Sequence, residues 1–200
     1  MLQTGLGADT RKAILRHAAA LFAARGYDAV SVREIVEAAG VTKPSLYYYF
    51  ENKEALARAL IDELHVAGAE MRAEVFRAAK DVRDLLEVYT REMLALAQRY
   101  RDTFAFAFSL WFGRSSLKDL ICQTEQHHEQ IIREWHAALA ARGMSERAAE
   151  VTIKAYWALL MQELLKVAHC PKFTGCAYSL ADEMATLVIH GARAFDEGKE

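Results

Sequence analysis

Proline is nearly absent: only 2 occur in 200 residues. So little backbone punctuation argues against a disordered chain, and with 53% hydrophobic residues there is material for a real core. Cysteine is also scarce. Cys122, Cys170 and Cys176 are an odd, sparse set without CxxC spacing, which excludes a secreted disulfide frame and reads as reduced thiols in the cytoplasm. The N-terminal "MLQTGLGADTRKAIL" lacks a basic stretch followed by an apolar one, so no signal peptide is expected. No apolar run reaches the roughly 18–20 residues that span a bilayer, and the expectation is a soluble, intracellular protein. No large charge excess exists either. With a net charge of −2 the chain is no polycation, and any nucleic-acid footprint has to be local.

Strand signals are missing as well, since no segment combines alternation of period two with β-branched enrichment. What is there is helical periodicity almost throughout, so the expected fold class is all-α. A first helix is predicted over about 9–25, with Ile14, Ala18, Leu21 and Phe22 on one face and Gly26 at its end. "SVREIVEAAG" opens with Ser31 and places Glu34 three residues on, a capping box, and stops at Gly40. Thr42 caps a short third helix reaching about Tyr49. Asn52 caps a long fourth whose stripe is Leu56, Leu60, Leu64, Ala67, Met71 and Val75. Further helices are expected at about 81–100, 102–112, 116–142, 145–169 and 179–197, with breaks at "KD", "GRSS", "RGMS" and "CPKFTG". There is no internal repeat and no low-complexity linker, so the long fourth helix joins the first three directly to the rest.

The second and third helices, separated by "AGV", form a helix-turn-helix pattern. Gly40 supplies the freedom the tight turn needs. Val32, Ile35, Ala38, Val41, Leu46 and Phe50 are spaced to pack these helices on each other and on the first. Left outward on the third are Lys43, Pro44, Ser45, Tyr47, Tyr48 and in part Tyr49, the face that enters a major groove in this motif. Pro44 is tolerated because first-turn amides have no partner within the helix. Consecutive tyrosines cannot all face one way, each being turned about 100° from the last. Tyr47 and Tyr48 offer rigid rings with a hydroxyl at phosphate reach, and Lys53 at the start of the fourth helix sits where an anion is favoured. Through Lys53 the chain carries seven basic and five acidic residues, so the remainder holds the net negative charge.

"ILRHAAALFAARGYDAVSVREIVEAAGVTKPSLYYYFENKEAL" resembles the DNA-binding domain of tetracycline-repressor (TetR) family regulators. The match runs without a gap over about residues 10–60, and its most specific portion is G-V-T…L-Y-Y-Y-F…K-E-x-L. The resemblance implies that Ser31 and Arg33 touch the DNA backbone. It implies Thr42, Lys43, Pro44, Ser45 and Tyr47 at the groove, with Tyr48, Tyr49 and Lys53 on phosphates. Two positions depart from the usual pattern: Pro44 stands where glycine is frequent, which favours an apolar contact such as a thymine methyl, and Tyr49 where histidine is common. Both bear on which bases are read.

Beyond residue 60 the resemblance is one of architecture, implying an all-helical regulatory domain that binds a ligand and dimerises. The expected division is therefore 1–53 for DNA binding and 54–200 for regulation. "DTFAFAFSLWFG" is apolar all round, and its Phe104, Phe106, Phe108, Leu110, Trp111 and Phe112 are expected to be buried on every side. The next helix carries Leu117, Ile121, Thr124, His128, Ile131, Trp135 and Leu139 inward, and a buried Thr124 or His128 needs a polar partner from the chain or a ligand. Candidate walls of a ligand pocket are Tyr89, Phe104, Phe108, Trp111, Trp135 and Trp157, with Thr124 and His128 as the polar groups. The same aromatic stripe would also suit a filled core. Glu125 and His128 in "QTEQHHEQ" have no second cluster at ligand spacing except His169, Cys170 and Cys176 in "HCPKFTGC", and a solvated helix and loop is the favoured reading, so no metal or cofactor is expected. Cys170 and Cys176 could close a disulfide geometrically, but only Lys172 offers a basic partner. The helix from about Ser145 is apolar on two sides. One carries Ala148, Val151, Ala155 and Leu159, the other Ile153, Tyr156, Leu160 and Leu164. With the last helix (Leu180, Met184, Leu187, Val188, Gly191, Phe195) it points to a homodimer.

No catalytic constellation, metal signature or phosphate loop is present, which argues against an enzyme. The expectation is a ligand-responsive DNA-binding regulator. Its effector would be small and largely apolar, and its operator a palindrome of double-stranded DNA. The alternative is an architectural or partner-binding DNA-binding protein with a filled core.

Overall fold

The computed structural model describes residues 3–112, 115–170 and 177–196, and among these all regular structure is helical. The helices are α1 (Gln3–Arg25), α2 (Val32–Ala39), α3 (Lys43–Tyr49), α4 (Lys53–Ala78), α5 (Val82–Arg99), α6 (Arg101–Phe112), α7 (Lys118–Ala140), α8 (Glu146–His169) and α9 (Ala177–Asp196). The all-α reading is right, and its boundaries hold closely except at the start. There α1 begins at Gln3 because Gly5 and Gly7 weaken a helix by about 1 kcal/mol each without forbidding it. The expected break "CPKFTG" lies, but for Cys170, outside the described residues, as do Cys176 and the first two residues of "GRSS".

The chain forms two compact units. The first comprises Met1–Val66 and Tyr100–Ile121, the second Ala67–Arg99 and Cys122–Glu200. This grouping differs from a division at residue 53 because α6 packs on α1. In the first unit Ile14, Ala18 and Phe22 of α1, Ile35 of α2, Leu46 of α3 and Leu56 and Leu60 of α4 close one core with Phe106 and Leu110 of α6. Phe22 is its centre, with ring centroids 5.3 Å from Tyr27 and 5.1 Å from Phe106. Asp28, in the α1–α2 turn, accepts from the Ser116 hydroxyl and, at 3.2 Å, from its backbone N–H. These bonds hold the Asp28 carboxyl below its ordinary range.

In the second unit α5 packs on α8 and α9, and α8 on α9. Its core is aromatic. Trp135 lies 4.8 Å from Tyr89, 5.1 Å from Tyr156 and 5.2 Å from Phe76, centroid to centroid. Two sequence expectations need correction. Trp111 is exposed at 38%, although Phe104, Phe106, Phe108 and Leu110 are buried as expected. An all-apolar stretch buries only the positions its helix turns toward neighbours, and Trp111 falls in the last described turns of α6. The side chain of Phe112 lies outside the described residues. In α4 the buried row drifts from the expected Ala67 and Met71 to Gly68 and Arg72. A repeat of four residues lags the helix's 3.6 per turn, and a long helix changes its inward face accordingly.

Candidate nucleic-acid interface

The turn between α2 and α3 follows from local chemistry. The Ser31 hydroxyl accepts from the Glu34 N–H at 3.3 Å, and the Glu34 carboxylate accepts from the Ser31 N–H at 2.8 Å, completing the capping box. The Ser31 N–H and the Ser31 hydroxyl, both donating to the carboxylate, together with Arg25 pull the Glu34 carboxyl down to about 2. Gly40 ends α2 at φ 65, where a Cβ would be strained. Thr42 caps α3, its hydroxyl accepting from the Ser45 N–H at 3.3 Å.

Seven residues are marginal as a helix alone, so α3 depends on what it buries. Leu46 is fully buried and Phe50, just past the helix, nearly so. Turned away from them, Thr42, Lys43 and Pro44 are exposed, Ser45 is half-buried, and Tyr47 and Tyr48 are 50% and 82% exposed. Tyr49 is different: half-buried against the core, it supports Tyr48 edge-on at 4.9 Å. Arg33 is exposed and pairs with Glu37 at 2.7 Å.

Lys53 has a role that the sequence pattern did not show. Its ammonium donates to the carbonyls of Tyr27 at 3.0 Å and Val30 at 2.9 Å and lies 4.0 Å from the centre of the Tyr27 ring. Burial lowers its pKa, with Asp28 opposing. Two of its three donors tie the α1–α2 turn to the start of α4. Lys53→Gln is therefore expected to weaken DNA binding while leaving the salt dependence unchanged, measured as the slope of log affinity against log salt. A phosphate contact would instead lower that slope by about 1 per bound subunit, and that result would return Lys53 to the DNA.

The candidate pocket residues separate. Tyr89 and Trp135 meet in the buried aromatic cluster of the second unit. His128 meets Trp157 there edge-on at 5.6 Å, and Thr124 is buried. Burial lowers the His128 pKa. Phe104, Phe108 and Trp111 belong to the first unit, where the two phenylalanines touch at 6.1 Å. Sequence reasoning missed Arg72, Phe76, Thr90 and Glu134. Arg72 is 2% exposed and donates from Nε to Glu134 at 2.5 Å. A signal did exist: Leu64, Gly68, Arg72 and Phe76 follow one another at four-residue spacing, which puts a charge on an apolar row. Among the described residues no group of three or more His, Cys, Asp and Glu side chains could hold a metal ion. Among the same residues no helix is long and apolar enough to cross a membrane.

Residues 14–60 match the family model described as bacterial regulatory proteins, tetR family. The uncharacterised HTH-type transcriptional regulator YdgC of Bacillus subtilis is 46% identical over 59 residues, which are 30% of each protein. The HTH-type transcriptional regulator LmrA of the same organism is 26% identical over 183 residues, covering 90% of this chain and 80% of LmrA. Among solved structures, a TetR-like transcriptional regulator from Rhodococcus sp. RHA1 superposes with a TM-score of 0.73 at 17% identity. It covers 92% of this chain and 96% of that one, a likeness of fold.

Proposed function

Because this chain belongs to the tetR family of bacterial regulatory proteins, whose domain it carries at residues 14–60, we propose that it is a ligand-responsive repressor. It acts in the cytoplasm without catalytic activity and binds a palindromic operator as a homodimer. Residues 1–53 serve DNA binding and 54–200 regulation. The observation that carries the reading is the outer face of α3. Tyr48 stands 82% exposed and Lys43 is exposed as well, on a helix whose other side is locked by Leu46. Lys43 enters no ion pair among the described residues. Rigid amphipathic rings and a cation suit a groove edge lined with phosphates.

Within that face, Lys43, Pro44, Ser45 and Tyr47 read bases and Tyr48 grips phosphate. Ser31 and Thr42 work chiefly as caps, presenting the first amides of α2 and α3 to the backbone. The homodimer reading is supported by the second side of α8, where Val151, Ala155 and Leu159 stay partly or wholly exposed, and by Leu187 of α9, 65% exposed. An effector in the regulatory part acts by changing the spacing of the two DNA-binding heads.

Selection of fragmented genomic DNA on the purified protein at near-physiological salt is expected to enrich one or a few palindromes. Tyr48→Ala should weaken binding to every sequence alike. Lys43→Ala should cost about 1–3 kcal/mol and also relax preference at one position of each half-site. Uniform, salt-labile recovery of DNA would favour an architectural protein without an effector. Sequence-blind losses in both variants would defeat the assignment of roles.

A further inference from the structure

The aromatic cluster of the second unit satisfies one of its tyrosines and leaves the other unmet. The Tyr156 hydroxyl shares a 2.8 Å hydrogen bond with the Thr90 hydroxyl and lies 3.4 Å from the Leu86 carbonyl, to which Thr90 also donates at 2.7 Å. The Tyr89 hydroxyl and the Trp135 indole N–H are just as deeply buried and have no partner. Arg72 and Trp135 approach the Tyr89 hydroxyl without making a hydrogen bond of ordinary geometry. Burial pushes that hydroxyl up to about 12, so it stays protonated and a donor.

Indole can only donate, and buried donors in folded proteins are rarely left unmet. Two adjacent ones, their rings 4.8 Å apart, ask for a single acceptor oxygen. Charge narrows its nature. The buried Arg72 guanidinium is already paired with the Glu134 carboxylate, so an anion gains no uncompensated partner and would have to displace Glu134. Shape narrows it further. Phe76 and Tyr89 lie near-parallel, 27° between planes at 6.1 Å, with Trp135 edge-on to both, so the surroundings of the two donors are aromatic and match an aromatic molecule.

We propose that Tyr89 and Trp135 form the polar end of the effector site, holding the carbonyl oxygen of an uncharged aromatic molecule. This rests on the reading of residues 54–200 as the regulatory part.

The test uses the full-length protein and three probes sharing one ring: acetophenone, ethylbenzene and benzoate. Each of the three tryptophans gives one indole signal in a ¹⁵N-resolved spectrum, and Trp135→Phe identifies the one of interest. Acetophenone should move that signal downfield, saturably, and bind at least about tenfold tighter than ethylbenzene, the ratio one buried hydrogen bond supplies. Tyr89→Phe, which keeps the ring, should remove most of that advantage. If that variant fails to fold, the comparison of probes on the unaltered protein decides. The proposal falls if no probe shifts the Trp135 signal, as when a buried water already serves both donors. It falls equally if ethylbenzene matches acetophenone, if benzoate binds tightest, or if Tyr89→Phe changes nothing. Operator binding by the same preparation separates the two readings. A protein that selects a palindrome but ignores acetophenone loses only this site. One that binds acetophenone at Trp135 yet selects no DNA keeps the site and loses the regulator.

Discussion

Phe22→Ala is expected to lower the stability of the N-terminal unit by about 3–5 kcal/mol, the usual cost of emptying a fully buried phenylalanine site. The side chain has no exposure and touches both the Tyr27 turn and Phe106 of α6. Its removal therefore leaves a cavity where three segments meet, and rings on two sides cannot close it cheaply. Against a typical total of about 5–15 kcal/mol that is a large share. Operator affinity should fall with the folded fraction, although Phe22 lies far from the exposed face of α3 in the helix order. Urea unfolding followed by circular dichroism measures it, and a loss below about 1 kcal/mol would falsify the claim that this ring organises the unit.

Glu134→Gln should be the more damaging half of a second pair of variants, costing about 2–4 kcal/mol, with Arg72→Met the milder. Removing Glu134 strands a guanidinium that is 2% exposed, whereas removing Arg72 leaves a carboxylate whose side chain is 35% exposed and open to water. Methionine also refills the apolar row. The figure is set below the range for a wholly buried pair because solvent reaches Glu134. Burial pushes the Glu134 carboxyl up, but the hydrogen bond and charge of Arg72, with Gln130, outweigh it and hold the group below its ordinary 4.5. A depressed carboxylate contributes stability that is present above the unfolded value and lost as pH falls through the folded one. The gap between the unaltered protein and Glu134→Gln should therefore close on acidification below about pH 4.5. Equal losses in the two variants, or a gap independent of pH, would show that the pair carries no buried-charge asymmetry.

The N-terminal fold was legible in sequence because its signals are local. A capping box, a glycine that must adopt a left-handed conformation and a proline at a helix start each act over three or four residues. So was the outer face of α3, since Leu46 and Phe50 have to turn inward and Tyr48 then cannot. Lys53 is the opposite case. Its position at a helix start suggests a phosphate, but the carbonyls of Tyr27 and Val30 that accept its hydrogen bonds are more than twenty residues away in sequence. Trp111 was expected inside because hydrophobicity has no direction; only the neighbours of α6 decide which side is covered.

Helix content, the capped turn and the identity of the exposed residues on α3 were thus determined by the sequence itself, through backbone sterics and hydrogen bonds that close within one turn. Which aromatic residues meet, that Arg72 is buried against Glu134, and that Tyr89 and Trp135 are left with unmet donors while Tyr156 is satisfied were decided only by the tertiary structure. Those outcomes depend on contacts between helices distant along the chain, where packing alone selects among many faces of equal hydrophobicity.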